Sequence, residues 1–133
     1  PNSVTTIGDS AFEDCTNLRR VYFTGNAPSL GFYVFSGTSA TIYYLPGTTG
    51  WDDTYGEQPA LFWNPRCQNL SVAGGGFTFA VTGTTNIPIA VEVSTNLTDW
   101  TRVLTTNLVD GYMWFEDPAS TNAPRGFYRI AGW

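Results

Sequence analysis

Apolar residues along this 133-residue chain recur with two different rhythms, and the change between them divides the chain. In the opening stretch they fall at Val4, Ile7, Ala11, Phe12, Cys15, Leu18, Val21 and Phe23. Most gaps are three or four, and the last is the gap of two that marks a strand. The stretch Ile7-Gly8-Asp9-Ser10-Ala11-Phe12 then returns as Leu30-Gly31-Phe32-Tyr33-Val34-Phe35. Both copies carry an aliphatic residue, a glycine, two variable positions, a small or branched aliphatic and a phenylalanine. Each leads through a polar turn into a β-branched and aromatic run, Val21-Tyr22-Phe23 in one and Ile42-Tyr43-Tyr44 in the other. A period in the low twenties is that of a solenoid, in which one short strand and one bend stack on the next coil. Asp9 and Ser10 are N-cap residue types and Ser10 with Glu13 forms a capping box, which predicts a single helical turn at the bend.

From Arg66 onward the rhythm becomes strict alternation. Phe77, Phe79 and Val81 alternate with Thr78, Ala80 and Thr82, and Ile87, Ile89, Val91 and Val93 do the same further on. This predicts strands near 67–73, 76–82, 88–94, 100–105, 110–116 and 126–131. Turns fall at Gly74-Gly75-Gly76, Gly83 to Asn86, Ser94-Thr95-Asn96 and Asp110-Gly111, the last read as a two-residue hairpin. Such spacing describes a small antiparallel β-sandwich. Between the two rhythms, residues 46–65 hold the turn signals Pro46-Gly47 and Pro59 together with Trp51, Tyr55, Phe62 and Trp63. A flexible linker has nothing to bury, so this connector is expected to be ordered and packed across the seam between the halves. One helical turn is expected from Thr49, with Asp52 and Asp53 near its N-terminus. The expected fold is mainly β: terminal leucine-rich-repeat coils with helical turns over 1–45, an aromatic connector over 46–65 and a sandwich over 66–133.

The residues Pro1, Ser3, Val4, Thr5, Ile7, Gly8, Ala11, Phe12, Cys15 and Leu18 carry a resemblance to the BspA-like class of bacterial leucine-rich repeat. The second coil departs from that pattern: Thr38 replaces the cysteine, Thr41 replaces the leucine, and its later half is two residues shorter. The resemblance implies an extracellular solenoid of adhesive or ligand-binding type, and its repeat positions are structural. The second half resembles a module found at the C-terminus of large secreted bacterial proteins and akin to fibronectin type III domains. Its recurring elements stand here as Val91, Glu92, Ser94, Thr95, Asn96, Leu97, Trp100, Asp117, Pro118, Phe127, Tyr128 and Arg129. The chain opens in mid-repeat, so it is expected to be the C-terminal piece of a longer secreted protein.

Charge and composition narrow the chemistry. The net charge is −5, with no lysine or histidine, and all six basic residues are arginine. Nucleic acid is therefore not an expected partner. No run approaches the ~20 apolar residues of a membrane span, so no membrane insertion is expected. Without histidine or lysine there is no Ser-His or Cys-His pair and no Schiff-base nucleophile, and no catalytic residue is assigned. The acidic groups Asp9/Glu13/Asp14, Asp52/Asp53/Glu57 and Glu116/Asp117 read as capping or solvated carboxylates. EF-hand spacing is absent, and no metal or cofactor is assigned. Cys15 and Cys67 are read as buried thiols in preference to a disulfide. Glu92 and Arg129, on neighbouring predicted strands, are expected to form an ion pair.

Trp51, Tyr55 and Trp63 are the candidate ligand-binding residues, because rings in a connector could stack on a sugar or a protein surface. The expected function is an extracellular, cell-surface module for display, adhesion or binding of a protein or glycan. One alternative is a self-assembling filament or sheath subunit that polymerises through the open solenoid end. Another is an accessory carbohydrate-binding region of a larger secreted enzyme.

Overall fold

Backbone pairing turns the repeat into parallel ladders in the computed structural model, which describes residues 1–73, 76–117 and 126–132. The predicted turn residues Gly74 and Gly75, and Pro118 of the Asp-Pro pair, lie outside the described residues. Strand β1 (Thr6–Ile7) pairs in parallel with β3 (Ser29–Leu30), Thr6 opposite Ser29. Strand β2 (Arg20–Phe23) pairs in parallel with β4 (Thr41–Tyr44), Arg20 opposite Thr41. The offset shortens by two residues from the first pair to the second, as the shorter later half of the second coil requires. Phe12 and Phe35 stack with centroids 5.5 Å apart and planes 3° from parallel, so they occupy equivalent places on successive coils.

The connector adds a third rung. Strand β6 (Gln58–Phe62) runs parallel to β4, with Ile42 opposite Ala60. Strand β5 (Thr54–Tyr55) folds back antiparallel on β6. The buried centre of these coils is Val34, Phe35, Ile42 and Ala60, with Ile7, Phe12, Leu18, Val21 and Leu30 packed around it.

The expected helical turns do not form, and no helix occurs among the described residues. Ser10 and Asp14 have φ of 55° and 54°, and Tyr33 and Gly37 repeat them at 58° and 71°. A right-handed turn needs negative φ at consecutive residues. The amides of Ser10, Phe12 and Asp14 instead donate to the carbonyls of Phe32, Val34 and Ser36 on the next coil, at 2.8, 2.9 and 2.8 Å. Bonds between coils thus displace the local capping box. Near Thr49 the chain also stays non-helical: Gly50 sits at φ 83°, and the Thr49 amide donates to Asn26 Oδ1 at 3.0 Å.

The chain divides into two compact units, Pro1–Trp63 and Asn64–Trp133. In the second, the strands are β7 (Arg66–Ala73), β8 (Gly76–Thr82), β9 (Pro88–Ser94), β10 (Thr101–Asn107), β11 (Tyr112–Asp117) and β12 (Phe127–Ala131). They form two antiparallel three-stranded sheets, ordered β11-β8-β7 and β10-β9-β12. Phe79, Val81, Ile87, Ile89, Val91 and Leu108 are fully buried and fill the core.

Asp110-Gly111 is not a hairpin, because the strands on either side of it belong to different sheets. Buried Leu108 anchors the crossing: its amide donates to the Ile87 carbonyl at 3.0 Å, and its carbonyl accepts from Asn86 at 2.6 Å. The cysteine expectation is also corrected. Both thiols are free and both residues are exposed. Cys15 follows the left-handed Asp14 at the outside of the bend, and Cys67 stands on β7, an edge strand of its sheet.

Candidate functional site

Alternation along β2, β4 and β6 decides where each candidate ring goes. Val21, Phe23, Ile42, Tyr44 and Ala60 belong to the packed cluster of the coils, so Tyr22, Tyr43 and Leu61 project from the opposite face of the sheet.

Trp51 and Tyr55 join the cluster side. Trp51 stacks on Tyr44 with centroids 5.1 Å apart and planes 5° from parallel. It lies 5.0 Å from Phe23 and 4.9 Å from Tyr55. Its indole Nε1 is buried and has no hydrogen-bond partner among the described residues. The Tyr55 hydroxyl donates to the Pro28 carbonyl at 2.5 Å, and burial pushes its pKa up to about 12.

Trp63 belongs to the other face. It follows β6, its amide donates to the Tyr44 carbonyl at 2.8 Å, and its ring meets Tyr22 edge-on at 6.3 Å. Tyr22 in turn stacks on Tyr43 at 5.0 Å. Burial raises the Tyr43 pKa, while the Thr41 side chain and the Arg20 charge act to lower it. The fold therefore brings Trp51 and Tyr55 together and sets Trp63 apart, in a short aromatic strip with Tyr22 and Tyr43.

Two residues that the candidate list lacked are the most exposed rings of the coils, Phe32 and Tyr33 at 76% and 71% exposure. The sequence did carry a sign of them. They replace the polar pair Asp9-Ser10 in the second copy of the repeat, at the two positions the pattern leaves variable.

In the second unit the charged residues converge on Glu92. Register sets Arg129 directly opposite it on β12 and Arg102 opposite it on β10. Arg129 reaches Glu92 Oε2 at 2.8 Å and Arg102 reaches Oε1 at 3.0 Å. The expected ion pair is thus present, with Arg102 as a second partner. The bond from Arg129, then that from Arg102, holds the Glu92 carboxyl below its usual range against a smaller opposing effect of burial. The Arg129 guanidinium also lies 4.1 Å from the centre of the Trp100 ring, a cation–π contact. This is a fully partnered structural network, with no free nucleophile or base in it. Cys67 lines an apolar groove of about 350 Å³ with Leu70, Phe77, Leu97 and Phe127, and burial pushes its thiol pKa up although the residue as a whole is exposed. No group of three or more carboxylates or thiols among the described residues could hold a metal ion.

Comparison with known families agrees with the ladder geometry of the first unit. Residues 1–53 match the family model of the BspA type leucine rich repeat region (6 copies). This part of the chain is therefore similar to that repeat class, over both coils and into the connector, short of the third rung's strands. No curated protein and no solved structure matches the chain.

Proposed function

We propose that this chain is a non-catalytic, extracellular module of a bacterial surface protein, acting by display and adhesion towards a protein or glycan. The observation that carries this reading is the BspA-type repeat over residues 1–53, built as coils stacked in parallel register. The second unit fits a supporting role. Its sheet orders, β11-β8-β7 and β10-β9-β12, follow those of strands E-B-A and C′-C-F in immunoglobulin-like sandwiches, and we read it as the fibronectin-like module. Of the candidate rings, Trp51 and Tyr55 pack in the coil cluster and Trp63 lies on the opposite face beside Tyr22, and we assign ligand contact to that face.

Antibody labelling of intact source cells tests the placement, and failure to label them while lysed cells react would refute it. Glycan and protein arrays probed with the chain and with Trp63→Ala test the contact; equal binding by both would remove Trp63 from the site.

A further inference from the structure

The bend of the second coil holds three backbone donors with no acceptor among the described residues. In the first coil the amides of Ser10, Phe12 and Asp14 bond the carbonyls of Phe32, Val34 and Ser36 at 2.8, 2.9 and 2.8 Å. The repeat carries the same row forward to Tyr33, Phe35 and Gly37, whose amides donate to no described residue. Backbone amides are obligatory donors, and at exposed Tyr33 and Gly37 either water or an incoming carbonyl can meet them.

On the strand side the third rung is taken by β6. On the bend side the chain turns back through Gly56 and Glu57, leaving a groove of about 310 Å³ lined by Leu30, Phe32, Tyr33, Phe35, Gly56 and Glu57. Exposed Phe32 and Tyr33 stand over it. Tyr33 holds φ 58°, a conformation that is strained for a bulky side chain. Ser10 holds nearly the same φ in the first coil, so the coil imposes the conformation and the ring is what the second copy adds.

We propose that this groove binds a peptide segment of a partner protein that takes up a bend like that of the second coil. The segment supplies carbonyl oxygens at alternate residues to the amides of Tyr33, Phe35 and Gly37. Its side chains pack on Phe32 and Tyr33. The second coil already shows that a polypeptide offers this acceptor spacing, since Phe32, Val34 and Ser36 satisfy the matching donors of the first coil. Glu57 is the charged residue of the groove and no arginine lines it, which selects a neutral or basic segment. A complete second copy does not fit, because its β2 would need the rung that β6 occupies. The site goes beyond the surface-module reading: peptide binding here can fail with surface placement intact, and the reverse.

The test is to pan a random-peptide phage library on the intact chain and titrate the selected peptides into ¹⁵N-labelled protein. The expected result is that the amides of Tyr33, Phe35 and Gly37 shift most. Tyr33→Asn, which suits the left-handed conformation, should raise the melting temperature yet weaken binding by about tenfold or more. Glu57→Lys, at an exposed position, should turn the preference from basic towards acidic peptides. Failure to enrich any peptide, or shifts centred elsewhere, overturns the proposal. So does a glycan that moves these three amides where peptides do not, or a concentration-dependent shift of the same amides that signals a second copy.

Discussion

Glu92 accepts from Arg129 and Arg102 while its own side chain is only 10% exposed, so its charge is both partnered and shielded. Replacing it by glutamine leaves two arginines without their counter-charge and should cost about 2 kcal/mol of stability, read from urea unfolding at neutral pH. The sign with pH follows from the depressed pKa. The contribution is complete above the ordinary carboxyl value of 4.5 and is lost as pH falls below it through the lower folded value. The stability gap between the native chain and Glu92→Gln should therefore narrow on acidification; a constant gap would show that the charge is not the cause. Cysteine chemistry gives a second check. Native protein should react with a thiol reagent at both Cys15 and Cys67 without denaturant, because both are free and exposed. Cys67 should react more slowly near neutral pH, since its raised pKa leaves less thiolate. Protection of either thiol until unfolding would contradict the exposed placement.

Coil elements depend on a few positions that no neighbour can replace. Phe35 is 1% exposed and stacks on Phe12, so Phe35→Ala should cost about 3–5 kcal/mol through lost burial and the cavity left behind. Phe32→Ala, three residues earlier on the chain but exposed, should change stability by no more than about 0.5 kcal/mol. Gly56 is constrained twice: it has φ 58°, and a Cβ there would stand 2.8 Å from both Leu30 Cδ1 and Phe35 Cδ2. Gly56→Ala should destabilise by more than about 1 kcal/mol, measured by the same unfolding assay; a neutral result would mean that the bend relaxes freely. The bends also show where local rules stop. Ser10 and Glu13 spell a capping box, but one helical turn has too few internal bonds to hold itself. Three amide bonds to the next coil outweigh it.

Across the whole molecule, charge is the property that the sequence states most directly. With a net charge of −5 and no lysine, the chain should pass through a heparin column at physiological salt and be retained by an anion exchanger at neutral pH. Retention on heparin would mean that its arginines are gathered on one face. The parallel coils and the antiparallel sheets were both legible, because side-chain periodicity is fixed by which face each residue must bury. The six described strands of the second unit fall within about two residues of their expected positions. Less legible was the third rung. Gln58 to Phe62 has a proline and no clear alternation, and only the vacant edge of β4 makes it a parallel strand.

The sequence alone determined the repeat, its two-residue contraction, the change to alternating strands and the Glu92–Arg129 pairing. Each of these follows from periodicity or from register between neighbouring strands. Tertiary structure decided what depends on distant partners: the left-handed bends, the crossing at Asp110-Gly111, the exposure of both cysteines and the parting of Trp63 from Trp51 and Tyr55. Those outcomes turn on which backbone groups and apolar faces meet across coils and sheets, and local residue preference carries no record of such meetings.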